Sequence, residues 1–217
     1  TIIVCDRFLS GKGRTAVKSA RRHFSSAQII ALGFAAVILL GALLLMLPFA
    51  TRDGRGASFA DALFTAASAI CVTGLVVRDT ASYWTGFGQG VILALIQVGG
   101  MGVVTCAVTL FALAGQRITL RQRGTMQEAI SAPKLGGIVR LTGFILLVTA
   151  AAELLGAALL SVPFCLEFGL PQGLWYGLFH AVSAFCNAGF DLMGTRAPFS
   201  SLTAYPARPL LNIVIMF

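Results

Sequence analysis

The sequence predicts an all-α integral membrane protein built from tandem helix–pore-loop–helix repeats. Three observations predict it. Of 217 residues, 57% are hydrophobic and 11% charged, with mean hydropathy +0.87, whereas soluble domains carry about a quarter charged residues. Apolar runs of membrane-spanning length recur along the chain. A thirteen-residue segment occurs twice, LFTAASAICVTGL at 63–75 and LFHAVSAFCNAGF at 178–190. At an offset of 115 the copies agree at Leu63/Leu178, Phe64/Phe179, Ala66/Ala181, Ser68/Ser183, Ala69/Ala184, Cys71/Cys186 and Gly74/Gly189. Each copy follows one long apolar run and precedes another.

The elements follow in order. Residues 1–26 form a basic segment, with Arg7, Lys12, Arg14, Lys18, Arg21 and Arg22 against Asp6. Residues 27–49 are nearly all apolar, and at ~1.5 Å per residue they reach across a ~30 Å hydrocarbon core. Pro48 and the polar stretch from Thr51 to Gly56 end this span. Residues 58–70 make a short amphipathic helix, with Ser58 as N-cap and Asp61 in its first turn. It is too short to cross, and with Thr73-Gly74 after it reads as a re-entrant pore helix and loop. Residues 84–114 are a second apolar run, long enough to tilt or bend. Gly99, Gly100 and Gly102 near its middle suit close helix packing or a hinge. Residues 116–137 are a basic polar loop. A third span covers 138–164, a second short helix 173–185, a second loop 186–190, and a fourth span opens at 208. The domain plan is thus a basic segment (1–26), a first repeat (27–115), a connecting loop (116–137) and a second, truncated repeat (138–217). A start at Thr1 and an end inside the apolar run LLNIVIMF suggest part of a longer protein.

Charge placement orients the scheme. The net charge is +8, but the basic residues flank apolar runs and no nucleic-acid-binding motif accompanies them, so the expected partner is the lipid bilayer and not nucleic acid. The N-terminal segment and the stretch 116–140 hold eleven of the sixteen basic residues. The positive-inside bias makes both cytoplasmic, with a multi-pass chain in the cytoplasmic membrane and its N-terminus inside. Both loops then descend from the outer face, which keeps Arg52, Arg55, Arg78, Arg196 and Arg208. The five cysteines, Cys5, Cys71, Cys106, Cys165 and Cys186, form no disulfide framework or CxxC pair. No catalytic motif stands in the chain, so enzymatic activity has no support.

Irregular backbone at membrane depth is tolerated only inside protein or along a water-filled path. A re-entrant loop therefore implies a cavity. A dehydrated monovalent cation needs several weak oxygen ligands, which backbone carbonyls supply. Aligning successive carbonyls takes conformations that glycine visits cheaply, and Gly74 and Gly189 hold that place in both copies. Segments Cys71, Val72, Thr73, Gly74, Leu75 and Cys186, Asn187, Ala188, Gly189, Phe190 contain no acid or base. Selection by carbonyl geometry follows, with no metal site beyond these carbonyls and no covalent cofactor. Asp191 is a candidate mouth charge or a capping residue.

At these residues the chain resembles the Trk/Ktr/HKT superfamily of potassium transporters, the Ktr-type membrane subunit above all. The likeness is carried by SAICVTGLVVRDT (68–80), LIQVGGMGVVT (95–105), LRQRGTMQEAIS (120–131) and FHAVSAFCNAGFDLMG (179–194). The resemblance implies four potassium-channel-like repeats around a pseudo-fourfold pore, of which two are present. It implies K⁺ as the transported ion, Na⁺ as a candidate coupling ion, filter strands Cys71–Leu75 and Cys186–Phe190, a homodimer, and a cytoplasmic nucleotide-binding ring subunit as regulator. The alternative function is a non-conducting membrane scaffold or sensor that keeps the pore-loop fold.

Four further residues stand out. Glu153 inside the third span is an expensive intramembrane acid, a functional candidate by default, but on an outer helix more readily a buried partner that ties it to its neighbours by hydrogen bonds. His180, opposite Thr65 in the repeat, is expected to hold the second short helix. Arg78 and Asp79 are expected to pair at the surface.

Overall fold

The computed structural model describes residues 26–102, 105, 138–195, 199–205 and 209–216. The N-terminal basic segment, the 116–137 loop and the far end of the second apolar run lie outside the described residues. The described chain is helical: α1 (Ser26–Leu45), α2 (Phe59–Ile70), α3 (Thr80–Tyr83), α4 (Gly86–Met101), α5 (Ile138–Phe168), α6 (Leu170–Phe185) and α7 (Pro209–Met216), with short 3₁₀ turns at Pro48–Ala50, Met193–Thr195 and Ser201–Ala204. No strand occurs among the described residues. One isolated antiparallel bridge joins Thr51 to Trp84.

Helix α5 shows how the molecule meets its surroundings. Its stretch Leu141–Phe168 is long and apolar enough to cross a membrane. Thr142, Thr149, Glu153, Ala157, Leu160, Ser161 and Phe164 are buried, while Phe144, Leu147, Leu154, Leu155, Val162 and Leu166 are exposed. The protein-facing side carries every buried polar residue of the helix together with Leu160 and Phe164, and the outward side is made of large apolar residues. An outward face of large apolar residues suits hydrocarbon, where packing through small residues and hydrogen bonds holds helices together. The apolar stretches Ile30–Leu45 and Gly86–Met101 of α1 and α4 are shorter.

Two layers share one core. In the first, α1, α2 and α4 enclose Ala42, Leu45, Ala66, Trp84, Ile92 and Ile96. Gly41 lets α1 approach α4, since a Cβ there would lie 2.7 Å from a Leu95 methyl. In the second, α5 and α6 run together around Leu160, Phe164 and Phe179. Phe164 lies 5.2 Å from the His180 ring, tilted by 41°, and meets Tyr176 edge-to-face at 6.2 Å. Such aromatic pairs add about 0.5–1.5 kcal/mol each beyond burial.

The third span, with Pro163 inside it, runs past its expected end at 164 to Phe168. Gly169, at φ +82°, then reverses the chain, and α6 opens three residues earlier than expected, with proline in its first turn. Proline fits there because its missing N–H would have no helical acceptor in that turn.

Candidate functional site

The two short helices end in the same way. Helix α2 starts at Ser58, whose Oγ accepts from the Asp61 N–H at 3.1 Å, as its capping pattern predicts. It buries Ala62, Thr65, Ala66, Ser68, Ala69 and Ile70 along one face. At its C-terminus the Val72 N–H donates to Ala69 O (3.3 Å) and the Thr73 N–H to Ser68 O (3.0 Å). At the end of α6, Asn187 donates to Ala184 O (2.9 Å) and Ala188 to Ser183 O (2.7 Å). Each pair is a Schellman cap, which needs a left-handed residue just past the helix. That residue is Val72 (φ +55°) in the first copy and Asn187 (φ +59°) in the second. Gly74 (+69°) and Gly189 (+72°) follow. The sign of φ therefore alternates along both loops, in register with the sequence repeat.

The loops meet at their glycines. A Cβ on Gly74 would lie 2.7 Å from Ala188 O and 3.2 Å from Gly189 Cα. A Cβ on Gly189 would lie 3.4 Å from Gly74 Cα. A second contact obeys the same offset of 115, because the Asp79 carboxylate occupies the space that a side chain at Gly194 would need. Asp79 also accepts from the Ser82 N–H (2.8 Å), the Ser82 hydroxyl (2.6 Å) and the Phe199 N–H (3.1 Å).

Helix α4 reaches both loops. Gly99 packs on Ile70, the last residue of α2, and Gly100 on Cys186. Gly102, at φ +83°, closes α4 with its N–H on Gly99 O at 3.1 Å. The first two glycines thus serve close packing, and the third interrupts the helix. Among loop residues, Cys71, Thr73 and Leu75 are exposed, while Ala188 and Phe190 are buried. Asp191 Oδ1 accepts from the Met193 N–H at 2.9 Å and so caps the turn that follows.

Side chains brace each loop differently. Ser68 Oγ and Thr73 Oγ1 share a 2.9 Å hydrogen bond in the first. In the second, the Ser183 hydroxyl donates to Phe190 O at 2.6 Å. His180 Nδ1 lies 2.7 Å from Tyr176 O, and its Nε2 accepts from the Leu192 N–H at 3.4 Å, which ties α6 to the chain beyond its loop. Glu153 accepts from Gln97 Nε2 with both oxygens, at 2.8 and 3.0 Å, so the intramembrane acid does tie two helices together. Its partner, along with the serine braces and the left-handed residues, escaped sequence reasoning. The serines are identical in both copies, and that was the available signal.

The nearest ion pair is outside the loops. Arg78 does not pair with Asp79, as the sequence suggested. Its Nε lies 3.0 Å from Asp61 Oδ2, and its guanidinium sits over the Tyr83 ring. Asp79 is turned inward by its three donors. The Asp61 hydrogen bond and charge hold the Arg78 guanidinium above its usual pKa. The Thr51 hydroxyl, and then the Arg55 N–H, hold the Asp53 carboxyl below its usual value. No cluster of three or more His, Cys, Asp or Glu that could hold a metal ion occurs among the described residues.

The sequence matches the TrkH family, described as a cation transport protein, over residues 10–217. The potassium/sodium uptake protein NtpJ of Enterococcus hirae is 45% identical over 177 residues, 82% of this chain and 39% of that protein. The Ktr system potassium uptake protein B of Bacillus subtilis is 44% identical over 195 residues, 90% of this chain and 42% of its own length. Its namesake from Vibrio alginolyticus is 38% identical over 188 residues, 87% of this chain and 40% of that one. The chain spans 39% to 42% of the length of these curated relatives. The family is one of transporters, not of enzymes, and the chain belongs to it: this is a member of the TrkH family of cation transport proteins.

Proposed function

We propose that the chain serves potassium uptake across the cytoplasmic membrane, as part of the ion-translocating subunit of a Trk/Ktr-like system. Its two loops, Cys71–Leu75 and Cys186–Phe190, would each give one carbonyl-lined strand of the filter. The observation that carries this reading is that equivalent residues touch, Gly74 on Gly189 and Asp79 on Gly194. Units related by rotation bring equivalent positions together only near the axis, which is where an ion path runs. The alternating φ signs support it, since they turn peptide carbonyls in a way an ordinary loop does not. The loops carry no charge, so coordination falls to dipoles. Asp191 adds a negative group past the second strand while capping its turn.

The names of the relatives support potassium as cargo, and one names sodium as well. Sodium dependence, a homodimer of full-length chains and a nucleotide-binding ring partner complete the proposal. Growth of a potassium-uptake-deficient bacterium at low potassium tests it. Expression of the full-length protein restores growth under this reading. No rescue, with the protein confirmed in the membrane, overturns it.

A further inference from the structure

Glu153 is buried on α5, and its carboxylate faces α4 across the seam between the two repeats. Gln97 Nε2 donates to both carboxylate oxygens, at 2.8 and 3.0 Å. That contact fixes which end of the Gln97 amide points where. The other end, Oε1, faces Cys186 Sγ at 4.0 Å. Cys186 is the C-cap of α6 and the first residue of the second loop. One turn further along α4, Gly100 seats the same cysteine, and a side chain there would collide with its sulfur and Cβ. The carboxylate, the amide and the glycine seat thus converge on the base of the second loop.

Among the described residues, the first loop has no such carboxylate–amide brace. The position equivalent to Glu153 at the offset of 115 is Ile38, which cannot accept a hydrogen bond, and Cys71 is exposed. The arrangement is therefore not a general feature of the repeat. A buried acid is costly unless satisfied, and among the described residues its long-range partner is the amide that touches the loop.

We propose that Glu153, acting through Gln97, is a positioning residue for the second loop and thereby a determinant of ion preference. The proposal rests on the transport reading above. Loss of the carboxylate lets the Gln97 amide turn, and Cys186 loses its fixed neighbour. Carbonyl selection depends on strand placement, so ion preference falls before uptake itself is lost.

The test uses the full-length protein in lipid vesicles, with Glu153→Leu and Glu153→Gln. Maleimide labelling is followed in chains whose only cysteine is Cys186 or, as a control, Cys71. Potassium and sodium uptake are measured in parallel. Glu153→Leu is expected to speed Cys186 labelling about tenfold, the equivalent of one hydrogen bond to a charged group. It leaves Cys71 labelling unchanged and lowers the potassium-over-sodium preference several-fold. Glu153→Gln, which still offers Gln97 an oxygen, stays near the parent on both readouts. Unchanged Cys186 labelling overturns the brace. Equal acceleration at Cys71 also overturns it, since that reports general loosening. Faster labelling with unchanged ion preference overturns the role in selection. A parent protein that takes up no potassium overturns the transport reading instead, and the labelling arm, which needs no transport, separates the two failures. If Glu153→Leu does not reach the membrane, Gln97→Met cuts the same contact from the other helix, with the same outcomes.

Discussion

The two loops share a backbone but not a setting. Both cap their helices with a left-handed residue, and both place a positive-φ glycine two residues later. The first loop carries β-branched Val72 at φ +55°, a conformation such residues avoid. Its Cys71, Thr73 and Leu75 are exposed. The second uses Asn187, which tolerates that region, buries Ala188 and Phe190, and is held by Ser183, His180 and the Gln97–Glu153 contact. The same turn is thus made with a strained valine and a local Ser68–Thr73 hydrogen bond in one copy, and with a tolerant asparagine and longer-range bracing in the other. The lesson is that the backbone conformation is what the repeat keeps, while the side chains supporting it differ.

The largest expected effect breaks the meeting of the loops. Gly74→Ser forces an L-residue to φ +69°, at about 1–2 kcal/mol, and drives its Cβ against Ala188 O. Gly189→Ser carries the backbone strain, but its Cβ would make only an ordinary contact with Gly74. Gly74→Ser should therefore lose about tenfold or more in potassium-over-sodium uptake, and Gly189→Ser less. Equal losses would mean that the contact between the glycines does not matter.

Next is His180→Phe, which keeps a ring beside Phe164 but removes the acceptor for the buried Leu192 N–H. An unsatisfied buried donor costs about 1–3 kcal/mol, read as a fall in thermal midpoint in detergent. A midpoint unchanged from the parent would show that the bracing of the second loop is dispensable.

Exchanging the left-handed residues sharpens the contrast. Val72→Asn should stabilise by about 1 kcal/mol and Asn187→Val destabilise by a similar amount, both measured by denaturation. The same sign for both would remove strain as the distinction. Ser58→Ala loses the cap of α2 and about 1 kcal/mol. Helix α6 starts at Gly169 without a side-chain cap, so Gly169→Ala tests its backbone turn, not a cap. The smallest effect is Arg78→Ala. Its pair with Asp61 is half exposed on the arginine side, where solvent screens the charges, so denaturation should show little change.

Much of this was legible in the chain. Gly74 and Gly189, the Ser58 cap and the apolar spans all follow from local pattern, because a cap, a period or a repeat involves neighbours in sequence. Val72 was not legible as left-handed, since its side chain argues against that conformation and only the surrounding cap imposes it. The last turn of α5, beyond 164 to Phe168, was hidden because a proline such as Pro163 usually marks a nearby end. Gln97 and Glu153, 56 residues apart, meet only through the tertiary fold. Arg78 passed over its sequence neighbour because Asp79 is drawn inward by Ser82 and Phe199. Such choices are made by tertiary packing, which no local window contains.

On the proposed function, the paired loops coordinate a dehydrated potassium ion through carbonyls near an axis. Uptake of radiolabelled rubidium into vesicles bearing the full-length protein, in competition with unlabelled ions, tests it most directly. Potassium should compete at concentrations far below those of sodium, and Gly74→Ser should narrow that gap. Equal competition by the two ions in the parent protein, or a gap that Gly74→Ser leaves intact, would contradict the account.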